Sequence, residues 1–214
     1  MRRRDWLLRA LCHCTLASAA LPAPGQSGAK KTLVVLGDSL SAEYGLARGS
    51  GWVALLDARV SQEKLPWQVV NASISGDTTS GGRSRLPALL QAQRPAVVVI
   101  ELGGNDALRG LPIAMTQANL AEMSRAAKAA GAKVLIAGML VPPNYGRKYI
   151  EDFQAAFANV AKAEGTAYVP FLLKGVADGP DAETIFQPDR IHPKAEAHPR
   201  ILDNVWPVLR PLLR

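Results

Sequence analysis

The sequence predicts a three-layer α/β/α sandwich built on a five-stranded parallel sheet. Three observations lead there. Short runs at 33–36, 69–70, 97–100, 134–137 and 168–169 are apolar throughout, whereas a strand covered on one face only would alternate; uninterrupted runs mark strands buried on both faces, as in a parallel sheet. Between the runs lie stretches whose apolar residues recur at helical spacing. The alternation of the two kinds of segment, with no internal repeat or linker to divide it, is that of a sheet joined by right-handed helical crossovers.

Taken in order, Leu33 to Leu36 are the first expected strand, and Trp52, Leu56 and Val60 mark the helix after it. Val69 and Val70 give the second strand, followed by Leu86, Leu89 and Leu90 on the second helix. The run from Val97 to Ile100 leads to a helix carrying Leu120, Met123 and Ala127, and the run from Val134 to Ala137 leads to one carrying Phe153, Phe157 and Val160. Gly131 and Gly165 fall where those two helices should stop, because glycine takes the left-handed conformation that ends a helix. After Tyr168 and Val169, a last helix from about Ala195 is expected to turn Ile201, Val205 and Val208 inward, with Pro207 kinking or ending it and His198 on its surface.

A chain of 214 residues, 48% apolar and 20% charged, suits one globular domain with a substantial core rather than a disordered or fibrous protein. Residues 25–214 are read as that domain and residues 1–24 as an export signal, which implies a periplasmic or secreted protein. Arg2, Arg3 and Arg4 precede a weakly apolar stretch, and Ala17-Ser18-Ala19-Ala20 offers small residues for cleavage. A membrane anchor is the other reading, but Arg9, His13 and Thr15 interrupt a run that already falls short of the ~20 residues needed to span a bilayer. Arg3-Arg4 leaves the twin-arginine route open. Both cysteines, Cys12 and Cys14, lie inside the signal, so the exported domain is expected to hold no disulfide and no thiolate metal site, and no metal is called for. The net charge is +7; Arg2, Arg3, Arg4 and Arg9 less Asp5 supply +3 of it and leave +4 for the domain. That charge either favours transient contact with an anionic membrane surface or belongs to an ordinary mixed-charge surface. Without a basic run interleaved with aromatics, a nucleic-acid partner is excluded.

In such a sheet the ligand crevice lies beyond the carboxyl ends of the strands. Ser39 follows the first strand, Gly76-Asp77 the second, and Gly103-Gly104-Asn105-Asp106 the third. A serine hydroxyl is a poor nucleophile near neutral pH; it needs a base within hydrogen-bond reach and donors for the oxyanion that forms on the attacked carbonyl. His192 and His198 are the only histidines outside the signal. Asp189, three residues before His192 in Asp189-Arg190-Ile191-His192-Pro193, can share a turn with it and aim its second nitrogen at Ser39. Ser39, Asp189 and His192 are thus the catalytic candidates, and protonation of the ring should stop turnover. The oxyanion donors are the backbone N–H groups of Ser39 and Gly76 and the side-chain amide of Asn105, which donates without carrying charge. Each block has a plainer reading alone: Ser39 as a helix cap, His192 as a loop residue, Gly103 to Asp106 as a strand-to-helix turn. Their joint occurrence in this order favours chemistry. Asp38 and Asp77 either tune the site or tie down turns, Asp106 reads as a structural acceptor, and the sequon at Asn71 reads as unmodified.

With those blocks in view, the chain resembles the SGNH/GDSL hydrolase family: Gly37-Asp38-Ser39-Leu40, Ile74-Ser75-Gly76-Asp77, Gly103-Gly104-Asn105-Asp106 and Asp189-Arg190-Ile191-His192-Pro193 stand in the family's order over residues 32–205. It is most similar to the exported bacterial thioesterase/lysophospholipase/arylesterase branch, through 71–78, 101–106 and 143–147. The resemblance implies a flavodoxin-like fold, a serine esterase or thioesterase working through an acyl-enzyme on small-molecule or lipid esters, no cofactor, and the same catalytic and oxyanion residues. It also implies that loops after the third and fourth strands flank the acyl chain, with Leu108, Arg109, Leu111, Pro143 and Tyr145 as substrate-pocket candidates; those residues read equally well as loop packing. Arg190 departs from the glycine that the resemblance leads one to expect there. A carbohydrate or peptidoglycan O-acetylesterase is the alternative activity, and a non-catalytic lipid- or glycan-binding domain the alternative class.

Overall fold

The computed structural model describes residues 30–214, so the expected export signal, its cleavage region and both cysteines lie outside the described residues. Strands β1 (Lys31–Gly37), β2 (Trp67–Asn71), β3 (Val97–Glu101), β4 (Lys133–Ala137) and β5 (Ala167–Val169) pair in parallel as one five-stranded sheet in the order β2-β1-β3-β4-β5. Every apolar run anticipated from the sequence lies in its own strand. Leu33 sits opposite Val69 on one side and Val97 on the other. The chain therefore starts inside the sheet, fills one edge with β2, then crosses β1 to build the other half. The loops after β1 and β3 leave in opposite directions at this reversal, which opens a crevice between them.

Helices cover both faces. α1 (Trp52–Gln62) packs against α7 (His198–Leu209), while α2 (Thr79–Gln93), α4 (Ile113–Ala129) and α5 (Arg147–Glu164) pack side by side; α3 (Gly104–Leu108) and α6 (Ala182–Ile185) are short. The apolar stripes read from the sequence face the sheet: Trp52, Leu56 and Val60, then Leu86, then Leu120, Met123 and Ala127, then Phe153, Phe157 and Val160 are buried. Each such side chain contributes about 1.5–3 kcal/mol when fully buried. Leu89 and Leu90 are only half-buried. α5 ends at Gly165, which is left-handed at φ 61, and Gly131 follows α4 at φ 86.

The last helix differs from expectation in three ways. Its inward face is Ile201, Leu202, Val205, Trp206 and Leu209, with Val208 only half-buried. Pro207 does not end it: α7 runs to Leu209 and passes into a 3-10 turn, Arg210–Leu213. The proline ring is exposed, and the N–H it lacks falls in the last turn before the 3-10 segment. His198, expected on the surface, is 2% exposed and accepts the Trp52 backbone N–H on Nδ1 at 3.0 Å. Desolvation pushes its pKa down, favouring the neutral ring that this acceptor role requires.

Candidate active site

Beyond the carboxyl end of β1, the backbone turns at Asp38, whose carboxylate accepts the Leu40 N–H at 3.1 Å. The turn presents Ser39 at the sheet edge. From the other end of the chain, residues 186–193 close into a loop: Phe186 bridges Pro193, the Gln187 N–H donates to the His192 carbonyl at 2.8 Å, and the Arg190 N–H donates to the Gln187 carbonyl at 2.9 Å. Gln187 also donates through Nε2 to the carbonyls of Tyr44 (2.9 Å) and Pro193 (3.2 Å), which fastens this loop to the segment after Ser39.

The result is a continuous line of three side chains. His192 Nε2 lies 2.8 Å from Ser39 Oγ, and His192 Nδ1 lies 2.7 Å from Asp189 Oδ2. The carboxylate can only accept, so Nδ1 carries the proton and Nε2 offers its lone pair to the serine hydroxyl. Asp189 Oδ1 takes the N–H groups of Ile191 (2.9 Å) and His192 (3.0 Å). Desolvation would raise the Asp189 pKa, but the His192 N–H, the His192 ring and the Ile191 N–H outweigh it and hold the carboxyl at about 2. The Tyr44 ring covers the imidazole, with centroids 4.3 Å apart. Arg190 adopts φ 57, a left-handed conformation in which glycine is free of the Cβ penalty; this is the physical content of its departure from the resembled pattern.

Three donors accompany this line. The backbone N–H groups of Ser39 and Gly76 bond to no acceptor among the described residues. Gly76 sits at φ 79, and its carbonyl takes Arg109 Nη2 at 2.7 Å from the end of α3. Asn105, in the first turn of α3, spends one amide hydrogen on Asp38 Oδ2 at 2.9 Å and keeps the other. Beneath them, Glu101 is fully buried at the end of β3; its Oε2 accepts Ser41 Oγ at 2.5 Å and the Asp38 N–H at 3.3 Å. Burial, with a smaller push from Asp77, lifts Asp38 to about 6, and burial plus the Asp38 charge lifts Glu101 well above the usual carboxylate range. Two buried carboxyls this close do not ionise together without cost.

The remaining residues singled out from the sequence are placed as follows. Asp106 accepts the Thr79 N–H (2.9 Å), the Thr79 hydroxyl and Thr116 Oγ1 (3.1 Å), tying α2, α3 and α4 together as a structural acceptor. Asp77 pairs with Arg85 Nε at 2.7 Å, and Arg85 also reaches the carbonyls of Ala72 and Gly37. Asn71 donates to the Ser41 carbonyl at 2.8 Å. Leu108 is exposed at the end of α3, Leu111 is half-buried after it, and Pro143 and Tyr145 belong to a 3-10 turn beyond β4, where Tyr145 lies 5.5 Å from the Tyr149 ring. Sequence reasoning assigned no role to Glu101, Tyr44 or Gln187. Glu101 had a legible signal, a charge closing an apolar strand; the other two make contacts across roughly two-thirds of the chain and had none. Among the described residues, no group of three or more His, Cys, Asp or Glu side chains is placed to hold a metal ion.

A hydroxyl, imidazole and carboxylate in line beside free N–H donors, at the carboxyl edge of a parallel sheet, define a site of the serine-hydrolase class. Residues 35–200 match the GDSL-like lipase/acylhydrolase family, to which the chain belongs. It is 55% identical to esterase TesA of Pseudomonas aeruginosa over 88% of this chain and 92% of that protein. It is 41% identical to thioesterase 1/protease 1/lysophospholipase L1 of Escherichia coli K12 over 88% of each. The crystal structure of TesA superimposes with a TM-score of 0.82 at 55% identity, covering 85% of this chain and 99% of that one.

Proposed function

We propose that this chain is a serine hydrolase that cleaves carboxylic esters and thioesters through an acyl-enzyme, with Ser39 as nucleophile, His192 as base and Asp189 as its orienting acid. His192 Nε2 takes the hydroxyl proton as Ser39 Oγ bonds to the acyl carbon. The oxyanion is held by the N–H groups of Ser39 and Gly76 and the amide of Asn105. Collapse expels the alcohol or thiol, which takes the proton from His192; water then repeats the sequence and releases the acid. The observation that carries this reading is the unbroken line from Asp189 through His192 to Ser39, at 2.7 and 2.8 Å.

The similarity to an esterase and to a thioesterase/lysophospholipase supports fatty-acyl or aryl esters and acyl thioesters as the substrate class. The acyl part lies between the loop carrying Leu108, Arg109 and Leu111 and the turn carrying Pro143 and Tyr145. The protein is exported by its amino-terminal signal, works in the periplasm or outside the cell, and meets lipid substrates at a membrane surface.

On p-nitrophenyl esters, Ser39→Ala lowers kcat at least about 10⁴-fold while the fold is retained. An organophosphonate labels the native protein and not the variant, because labelling needs an activated hydroxyl. An undiminished rate in Ser39→Ala overturns the assignment.

A further inference from the structure

Among the described residues, the large apolar side chains with substantial exposure are Tyr44, Ile74, Leu108, Leu140 and Ile191. They are scattered in sequence but not in space. Tyr44, Ile74 and Leu140 lie in the segments after β1, β2 and β4, and Leu108 ends the short α3 after β3, so all four stand at the carboxyl edge of the sheet; Ile191 is next to His192, whose ring Tyr44 covers. The Ile74 N–H is bonded to the Gly37 carbonyl, two residues before Ser39, and Arg109, next to Leu108, is bonded to Gly76. The rest of the described surface carries no comparable residue, so chance exposure does not account for a rim around one mouth.

Three cations on the same rim are unpaired. Arg48, Arg109 and Arg190 are exposed and none pairs with a carboxylate among the described residues. Of the carboxylates nearby, Asp77 is paired with Arg85, while Glu43 accepts the N–H groups of Gly49 and Gly51 and Asp189 accepts from His192, both keeping their negative charge among the three guanidinium groups. Farther off, on the β5 flank, Asp181 faces Arg200 at 3.7 Å, while Glu183 on α6 and Glu196 just before α7 are exposed acids in no salt bridge among the described residues. Apolar tips surrounded by unpaired guanidinium groups match the interface of an anionic lipid aggregate, where acyl chains lie under a layer of negative headgroups.

We propose that this rim is a docking surface for anionic lipid membranes, seating the mouth of the site on the substrate's own surface. Tyr44, Ile74, Leu108, Leu140 and Ile191 enter the headgroup boundary while Arg48, Arg109 and Arg190 meet the negative charge. The proposal deepens the reading of the chain as a hydrolase of lipid esters and rests on it for its purpose, but its binding test is independent of turnover.

The test is co-sedimentation of the exported protein with phosphatidylglycerol/phosphatidylcholine vesicles and with pure phosphatidylcholine vesicles, beside hydrolysis of soluble p-nitrophenyl butyrate by the same samples. The native protein should bind the anionic vesicles more tightly, and binding should weaken with salt. The double variant Ile74→Asp/Leu140→Asp should lose more than about tenfold in vesicle affinity, and Arg48→Glu at least about fivefold, with soluble-ester hydrolysis unchanged in Arg48→Glu because that side chain is exposed and outside the catalytic line. Arg48→Glu, on a solvent-exposed loop, decides the matter if the double variant folds poorly. Equal sedimentation of native and variant proteins, or none of the native protein, overturns the proposal. So does light scattering that shows a dimer dissolved by the double variant without vesicle binding, since the rim would then cover a second copy of the chain. Loss of butyrate hydrolysis in the native protein would instead defeat the catalytic reading.

Discussion

Asn105 illustrates how one residue serves two purposes. Its amide is anchored by Asp38 through one hydrogen, at 2.9 Å, which leaves the second hydrogen fixed in direction before any substrate arrives. A donor oriented in advance stabilises developing charge without reorganising during the reaction. Asn105→Ala should therefore lower kcat by about 10²–10³-fold with little change in KM. Asn105→Asp, equal in shape but unable to donate when ionised, should lose as much; steady-state kinetics showing the aspartate variant near native activity would remove Asn105 from the oxyanion site. The identities of Ser39, Asp189, His192, Gly76 and Asn105 were all legible as candidates in the sequence. Tyr44 was not, since stacking on His192 follows from packing rather than from spacing; Glu101 stood out only as a charge closing an apolar strand, and its burial against Asp38 was not legible.

At the level of elements, the third strand and the short helix after it carry the most constraint. β3 ends in Glu101, the chain turns at Gly103 with φ 129, and α3 begins at once with Asn105 in its first turn. A Cβ at Gly103 would stand 2.7 Å from Phe157 Cζ, deep in the core under α5. Gly103→Ala should cost about 1–3 kcal/mol from backbone strain and overpacking together, read as a lower urea midpoint. Activity should fall with it, because the turn that aims Asn105 is displaced; full activity in a destabilised Gly103→Ala protein would show that turn and amide are uncoupled. The strands and the four long central helices were legible because their periodicity is local. The 3-10 turns and α6 were not, because short elements are defined by what they pack against; on α7, Ile201 and Val205 were read as inward and are buried, while Leu202, Trp206 and Leu209 on the same face were missed.

For the molecule as a whole, buried acids tilt stability against pH. Asp38 has a folded pKa of about 6 against an ordinary 3.8, so between those values the folded state keeps a proton that the unfolded chain releases, and stability falls as pH rises through the window. Glu101, raised above 4.5, adds a slope of the same sign from there upward. Asp189 works oppositely: held at about 2, it contributes stability above 3.8 that is lost as pH falls toward 2. Glu101→Gln removes one titrating acid while keeping an oxygen for Ser41. Thermal unfolding should show a smaller decline in Tm from pH 5 to pH 8 for the variant than for the native protein. Each pKa unit removed is worth about 1.4 kcal/mol, and each kcal/mol roughly 2–4 °C in a chain of this size. Parallel Tm curves would mean that Glu101 does not titrate in that range.

By itself the sequence determined the five strands, the sandwich class and the candidate blocks, because hydrophobic period and turn chemistry act over a few residues and are written along the chain. Only the tertiary structure decided that Ser39 meets His192 across 153 positions, that Glu101 lies buried beneath the site, and that five distant apolar side chains crown one mouth. Those relations come from closing the sheet, which fixes distances between residues that no local rule connects.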